Sequence, residues 1–155
     1  MNPEAKKIIG ALGLEPLTHE CGFFRQTWRS AAGSAIYFLL TPEDFSAFHR
    51  LRRTDEVWHF YAGDPVEHVT LAPANGVVRV TTLGAKVLAG AVPQFVVPAG
   101  VWQGARLAPG GPQGWALLGC TLAPAWNEND FELAERVAFL RAFPGAAEQI
   151  RALTR

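Results

Sequence analysis

The stretch Ser46-Ala-Phe-His-Arg-Leu-Arg-Arg-Thr-Asp-Glu-Val-Trp-His-Phe-Tyr-Ala-Gly-Asp-Pro65 concentrates histidine, acidic and aromatic residues around a basic segment. In its second half, Glu56, Trp58 and Phe60 recur with a period of two, which is typical of one face of a β-strand. His49 and Glu56 are residue types that bind first-row metals. The stretch therefore predicts a strand and raises the question of whether it helps to hold a metal.

Outward from this stretch, short apolar or alternating runs are separated by glycine, proline and asparagine. The runs predict strands over residues 23–29, 35–40, 57–61, 66–72, 77–83, 95–98 and 115–122. Asn75-Gly76 predicts a hairpin with a type I′ turn, in which both central residues need positive φ. Many short strands without alternating helices indicate an all-β fold, an antiparallel sandwich or barrel. We assign residues 1–155 to a single domain.

Both ends of the chain are predicted to be helical. Asn2 is the expected cap and Pro3 the first-turn residue of a short N-terminal helix that ends at Gly13. Residues 130–141 have helical periodicity, with Asn129 or Asp130 as the cap, and a last short helix is predicted over residues 146–153.

Several landmarks, taken in order, resemble one family of proteins. They are Glu20-Cys-Gly-Phe-Phe-Arg-Gln-Thr-Trp-Arg-Ser30, Ala35-Ile-Tyr-Phe-Leu-Leu40, Phe48-His-Arg50, Asp55-Glu-Val-Trp-His-Phe60, Pro93-Gln-Phe-Val-Val-Pro-Ala-Gly-Val-Trp-Gln103 and Gly119-Cys-Thr-Leu-Ala-Pro124. The set is similar to a small single-domain branch of the cupin superfamily, long regarded as a domain of unknown function. The resemblance covers roughly residues 8–145. It implies a double-stranded β-helix (a jelly-roll barrel) with short terminal helices, a central small-molecule pocket and a homodimer. Cys21 and Gln26 depart from the family pattern, which has glycine and glutamate there.

The resemblance also gives the expected place of a metal, since metal-binding cupins use three histidines and one glutamate. His49 and Glu56 match this pattern, whereas Leu51 and Gln103 stand where two histidines belong. Leucine cannot ligate, and an amide oxygen is a poorer ligand than imidazole for zinc or iron. His59 has the wrong strand parity to replace them. We therefore predict no cofactor; if a divalent metal binds, its ligands are His49, Glu56 and Gln103.

Without a metal, the same residues form a polar cluster in a ligand pocket with aromatic walls. His49 and Glu56 are the expected catalytic pair. The expected ligand-binding residues are Tyr37, Trp58, Phe60, Trp102, Gln103, Arg25 and Arg29.

The two arginines lie at even spacing on one predicted strand. If their face points into the barrel, they would bind a carboxylate or phosphate. In the other arrangement Phe24, Gln26 and Trp28 point inward; the sequence leaves both open. His19 and His68 are expected at the surface or in loops.

Three functions fit this pocket. The favoured hypothesis is a metal-independent isomerase or epimerase acting on a small polar metabolite, sugar-derived or with a keto or carboxylate group, with His49 as the base held by Glu56. A non-catalytic module that binds or senses a ligand needs the same pocket without a proton acceptor. A metal-dependent cupin enzyme is the third hypothesis.

Charge and composition restrict the kinds of partner that the protein is expected to bind. Fourteen basic and fourteen acidic side chains give a formal charge of zero, which disfavours nucleic acid or a membrane as partner. The cysteines Cys21 and Cys120 are expected to be free, partly buried thiols in a reducing, cytoplasmic compartment. A homodimer is expected because the N-terminal segment and the strand over residues 23–28 expose apolar surface.

Overall fold

The computed structural model describes all 155 residues. Eleven strands form two sheets. They are β1 Glu15–Pro16, β2 Phe23–Arg29, β3 Ser34–Leu40, β4 Ser46–Leu51, β5 Asp55–Gly63, β6 Val66–Leu71, β7 Val78–Leu83, β8 Gln94–Val97, β9 Trp102–Leu107, β10 Ala116–Ala123 and β11 Phe131–Leu133. One sheet has the order β1-β2-β3-β10-β5-β8 and the other β11-β4-β9-β6-β7. All strand pairs are antiparallel. The predicted all-β jelly-roll architecture is confirmed.

A short helix, α1 Pro3–Leu12, opens the chain as predicted. The Asn2 side chain accepts a hydrogen bond from the Glu4 backbone N–H at 2.7 Å, and Gly13 ends the helix with φ of 61°. The Glu4 carboxylate also accepts from the Trp115 indole at 3.1 Å, which attaches the helix to the start of β10. No helix is long and apolar enough to cross a bilayer.

The C-terminal region differs from the prediction at its start. Residues 131–133, expected to be helical, form β11 and pair with β4, placing Phe131 opposite Leu51. Helix α2 begins later, over Arg136–Ala142, with Glu135 as its cap, and α3 covers Ala147–Ala152. The helical prediction failed at 131–133 because a partner strand distant in sequence supplied the backbone hydrogen bonds.

The hairpin between β6 and β7 forms as predicted, but its turn is of another type. Gly76 has φ of 68°, whereas Asn75 does not adopt positive φ, so the type I′ prediction is wrong. The connection is longer than two residues: Ala72 N–H donates to the Val77 carbonyl and Gly76 N–H to the Ala72 carbonyl. The Asn75 side chain closes it by accepting from Val77 N–H.

Two apolar clusters stabilise the fold. The first fills one part of the barrel interior between the sheets and includes Phe38, Trp58 and Leu118. The second lies between the outer face of the five-stranded sheet and the C-terminal helices, and includes Trp102, Phe139 and Ile150. The remaining interior, beside the first cluster, is open and contains the candidate site.

Candidate functional site

A cavity of about 670 Å³ opens from one end of the barrel. Alternate residues of five strands line it, because side chains two apart share a strand face. The strand residues are Phe24 and Gln26 of β2, Ser34, Ile36 and Phe38 of β3, His49 and Leu51 of β4, Glu56 and Trp58 of β5, and Cys120 and Leu122 of β10. Segments 16–20 and 126–131 complete the wall. Buried side chains form the floor, and exposed ones such as Gln26, Trp126 and Glu128 form the mouth.

On the floor, His49 lies between two carboxylates. Its Nδ1 is 2.8 Å from the Ala47 carbonyl oxygen, to which an Nδ1–H donates, and 3.4 Å from Glu20 Oε2. Its Nε2 is 3.8 Å from Glu56 Oε2. The ring stacks on Phe131, with ring centroids 5.4 Å apart. The imidazole therefore has an oxygen acceptor or an anion beside each nitrogen.

These neighbours decide the charge of His49. Burial alone would lower its pKa, but the charge of Glu20, the hydrogen bond and charge of Glu56 and the Ala47 carbonyl together raise the pKa to about 9. Burial raises the pKa of Glu20, against the charge of His49. At neutral pH His49 is therefore an imidazolium. A protonated ring has no lone pair with which to accept a proton, so this charge state favours an acid over the expected base; the catalytic role of His49 stays a prediction.

Gln103 lies one layer behind the floor and orients Glu56. Its Oε1 accepts from Trp58 Nε1 at 2.8 Å and from His68 Nε2 at 3.1 Å. Its Nε2 donates to Glu56 Oε2 at 2.6 Å. Because an indole N–H can only donate, Trp58 fixes which end of the amide faces which partner. Gln103 thus holds the carboxylate that faces His49 and does not itself line the cavity.

The residues present do not fit a first-row metal. The Gln103 oxygen already accepts two hydrogen bonds, and its amide nitrogen, which cannot ligate, faces Glu56. Leu51 takes a further expected ligand position in the cavity wall. Glu20 and Glu56 lie at opposite nitrogens of His49, so one ion cannot bind both carboxylates and the ring. That the protein works without a metal stays a prediction.

Three aromatic residues expected in the pocket lie elsewhere. Tyr37 follows Ile36 on β3 and so points out of the barrel, edge-on to Tyr61. Trp102 precedes the inward Gln103, and so packs on Phe139 at a centroid distance of 4.6 Å in the outer cluster. Phe60 packs against the first apolar cluster and does not line the cavity.

The open question about β2 has an answer in the structure. Phe24 and Gln26 line the cavity, so Arg25 points outward, where its guanidinium lies 5.7 Å from the centre of the Tyr37 ring. Arg29 is exposed and does not line the cavity either. The expected arginine contacts to an anionic ligand are therefore wrong. For Arg25 the cause is the strand pleat, which alternates faces at each residue. Arg29 lies beyond a β-bulge between Gln26 and Trp28, which breaks that alternation. It is opposite Ser34 at the exposed end of the strand.

The sequence reasoning missed the role of Glu20. Cys21 and Gly22 both have positive φ, 72° and 80°, and this turn precedes β2. The Glu20 carbonyl accepts from Ala47 N–H at 3.0 Å, which attaches the turn to β4 next to His49. One feature of the sequence could have indicated this role: Glu20 is the first residue of the family landmark over residues 20–30.

His68 was wrongly expected at the surface. It is fully buried on β6, in the middle of a sheet. Burial, with a smaller effect from the charge of His49, lowers its pKa to about 3 although the hydrogen bond to Gln103 opposes the shift. The ring is therefore neutral and donates to Gln103 through Nε2–H. Its shared parity with the buried Val66 was the signal for an inward position.

Both thiols are free and buried, as predicted. Cys120 lines the cavity on β10. Burial, followed by the charges of Glu56 and Glu20, raises its pKa well above the ordinary value. The group therefore stays a thiol, and nucleophilic chemistry, which needs the thiolate, is not expected of it.

Comparison with known proteins agrees with this architecture. The family model described as Cupin superfamily (DUF985) matches residues 6–134. A hypothetical protein from Leishmania major is similar at 29% identity, with a TM-score of 0.90, covering 97% of this chain and 98% of that one. A protein from Shewanella oneidensis is similar at 34% identity and a TM-score of 0.89, covering 100% and 98%. A dTDP sugar isomerase from Desulfovibrio desulfuricans shares the fold at 17% identity, with a TM-score of 0.59 and coverage of 79% and 86%. None of the curated proteins matches the chain.

Proposed function

The chain belongs to the family described as Cupin superfamily (DUF985), and we propose that it is a metal-independent enzyme that moves a proton on a small polar metabolite inside its barrel. The observation that carries the proposal is the His49 ring between Glu20 and Glu56 on the cavity floor. A charged ring beside two carboxylates is a set of proton donor and acceptors in one place, and perturbed pKa values in a cleft are typical of catalytic groups.

In the proposed reaction Glu20 is the base and His49 the acid. Burial raises the pKa of Glu20, and a carboxylate becomes a stronger base as its pKa approaches the working pH. Glu20 takes the proton from a carbon next to a carbonyl, and the electron pair moves to the carbonyl oxygen. The charge of His49 stabilises that oxygen, and its Nε2–H, whose nitrogen lies 3.8 Å from Glu56 Oε2 and is not held in a close hydrogen bond, can protonate it. Glu20 then gives its proton to the neighbouring carbon, while a hydroxyl of the enediol returns a proton to His49, which completes an isomerisation.

The roles of the remaining residues follow from their contacts. Glu56, fixed by Gln103 at 2.6 Å, keeps the imidazolium in place and is a positioning residue. Trp58, Phe24 and Phe131 supply flat apolar wall for the body of the ligand. The dTDP sugar isomerase, named for chemistry of this class, supports the proposal only through a shared fold, which many functions use.

A non-catalytic binding module is the second candidate, and one observation favours it. Both ring nitrogens of His49 face partners inside the protein, the Ala47 carbonyl and Glu56. A buried ion pair that only supports the cavity would have the same geometry. The two candidates differ in whether Glu20 exchanges protons with a bound compound.

Solvent exchange measures that difference directly. The protein, purified without an affinity tag, is incubated in D₂O with small aldoses, ketoses and hydroxyketones, and loss of the proton next to the carbonyl is followed by NMR. We expect exchange that falls by about 10²-fold or more in Glu20→Gln. The matched control is Glu148→Gln, an exposed glutamate on α3, which should keep the full rate. Exchange that persists in Glu20→Gln contradicts the proposed base, and saturable binding without exchange favours the binding module.

A further inference from the structure

The charged groups that line the cavity are mostly acidic. Glu20 and Glu56 lie on the floor and Glu128 at the mouth, and no lysine or arginine contributes to the lining. His19 also lines the cavity but is exposed, so His49 is the one buried cation of the wall. Three carboxylates around one imidazolium give the enclosed space a negative field, which a cleft with apolar walls concentrates.

The arginines nearest in sequence to the cavity-lining residues make contacts outside the cavity. Arg25 lies over Tyr37 on the outer face of the barrel. Arg50 and Arg52 are paired with Glu132 at 2.7 and 3.0 Å, and Arg53 lies 3.5 Å from Asp130. Arg29 lies at the exposed end of β2 and does not contribute to the lining. An anionic group inside the cavity would therefore meet no guanidinium or ammonium from its lining.

His49 offers a ligand one donor at most, its Nε2–H, and Glu56 competes for that proton. One ring nitrogen donates to the Ala47 carbonyl at 2.8 Å, and the other faces Glu56. The floor instead presents acceptor oxygens, those of Glu20 and Glu56, beside apolar rings. A complementary ligand has to bring hydrogen-bond donors and must not add negative charge.

From these contacts we infer that the cavity selects ligands without net negative charge that are rich in hydrogen-bond donors, namely unphosphorylated sugars and nucleosides or amines, and that it rejects phosphates and carboxylates. The inference rests on the proposed function, because it concerns the ligand of the same cavity. It replaces the expectation of a carboxylate- or phosphate-bearing ligand bound by Arg25 and Arg29.

Three compounds with the same flat body and different charge test the inference: benzylamine, benzyl alcohol and benzoate. Uridine and uridine 5′-monophosphate form a second pair that differs by one phosphate. Binding at neutral pH is followed by NMR through the indole N–H signals of Trp58 and Trp126, which both line the cavity. We expect benzylamine or benzyl alcohol to bind about tenfold more tightly than benzoate, and uridine more tightly than its phosphate. If benzylamine binds most tightly, the natural ligand is an amine. If benzyl alcohol and uridine bind most tightly, it is a polyol. Either outcome supports the inference.

Two glutamate-to-glutamine variants test whether negative charge at the cavity causes the discrimination against benzoate. Glu128→Gln removes one charge at the mouth and should reduce the discrimination against benzoate by about threefold. Glu148→Gln makes the same change on α3, away from the cavity, and should leave the discrimination unchanged. Benzoate binding as tightly as the other two compounds would overturn the inference while the pocket of the proposed function stands. If none of the compounds shifts either indole signal, the ligand pocket fails as well.

Discussion

Among single residues, His49 determines the electrostatics of the cavity. Its ring is only 3% exposed, yet it is charged at neutral pH because Glu20, Glu56 and the Ala47 carbonyl outweigh the cost of burial. An isolated buried cation would be strongly destabilising, whereas one between two anions is compensated. The same contacts that keep His49 protonated therefore also make it a stabilising residue.

The charge of His49 predicts a pH dependence of stability. Its pKa is raised in the folded state to about 9, from about 6.5 when unfolded. The stabilisation by the charged ring is thus complete below pH 6.5 and is lost as the pH rises from 6.5 to 9. At about 1.4 kcal/mol per pKa unit it amounts to about 3–4 kcal/mol. Urea unfolding at pH 6, 7.5 and 9.5 should show the difference between wild type and His49→Gln shrinking with pH.

The control for that series is His59→Gln. His59 lies on the outer face of β5, and burial lowers its pKa, so it is neutral above pH 7 and its effect on unfolding should be the same at pH 7.5 and pH 9.5. A constant difference between wild type and His49→Gln from pH 6 to 9.5 would contradict the charged ring.

Gln103 is the second residue on which the site depends. Replacing it by leucine leaves the Trp58 indole and the His68 ring without an acceptor and Glu56 without its donor. Unpaired buried polar groups cost about 1–3 kcal/mol each, so we expect Gln103→Leu to lower the free energy of unfolding by about 3–5 kcal/mol. Gln94→Leu, which removes an exposed amide bound to His59, should change it by less than about 0.5 kcal/mol. Equal effects of the two substitutions in urea unfolding would contradict the proposed role of Gln103.

At the scale of elements, the strand pleat explains both what the sequence predicted and what it did not. Strand β2 has the predicted bounds, because alternation and flanking turns are local signals. The face of a strand that points inward depends on its partners in the sheet, and so the inward side of Arg25 and Phe24 stayed undecided until the fold was known. Strands β4 and β9, which carry His49 and Gln103, were not predicted as strands from periodicity, since their residues are buried on both faces.

The position of the segment containing Glu20 could not be predicted from the sequence, for a related reason. Its position depends on a turn with two positive φ values and on one hydrogen bond to β4. Neither leaves a periodic pattern in the sequence. The residues 131–133 illustrate the same limit, because pairing with β4 overrides a local helical preference.

The C-terminal helices give a prediction at this scale. Phe139 of α2 packs against Phe48, Trp102 and Phe143, with centroid distances of 5.8, 4.6 and 5.0 Å. Phe139→Ala should lower the free energy of unfolding by about 3–5 kcal/mol through lost burial and the cavity left behind. Val137→Ala on the same helix, at a side chain 52% exposed, is the matched control and should change it by less than about 0.5 kcal/mol. Comparable losses in both variants would show that α2 is not anchored through Phe139.

At the scale of the whole molecule, the barrel encloses a cavity beside its apolar core and leaves apolar groups outside. Tyr61 and Val96, on the outer face of the six-stranded sheet, are 51% and 53% exposed. Exposed apolar surface of this kind often marks an interface. The homodimer and the single-domain organisation stay predictions.

The dimer prediction is checked by light scattering coupled to gel filtration at tens of micromolar protein. We expect a mass of twice the 16.8 kDa of the chain. Tyr61→Glu should shift the mass toward that of the monomer if the outer face of the sheet is the interface, because a buried unpaired charge is costly. A monomeric mass for the wild type would contradict the prediction.

The most direct test of the central claim, a charged His49 held between Glu20 and Glu56 in a cavity that uses no metal, is the ¹⁵N NMR titration of the His49 ring. The signals are assigned by their loss in His49→Gln and followed from pH 6 to pH 10, with and without one equivalent of zinc. We predict that both ring nitrogens carry protons at pH 7.5, that the ring titrates near pH 9, and that zinc leaves the signals unchanged. A bare ring nitrogen at pH 7.5, or a stoichiometric shift on adding zinc, would contradict the account.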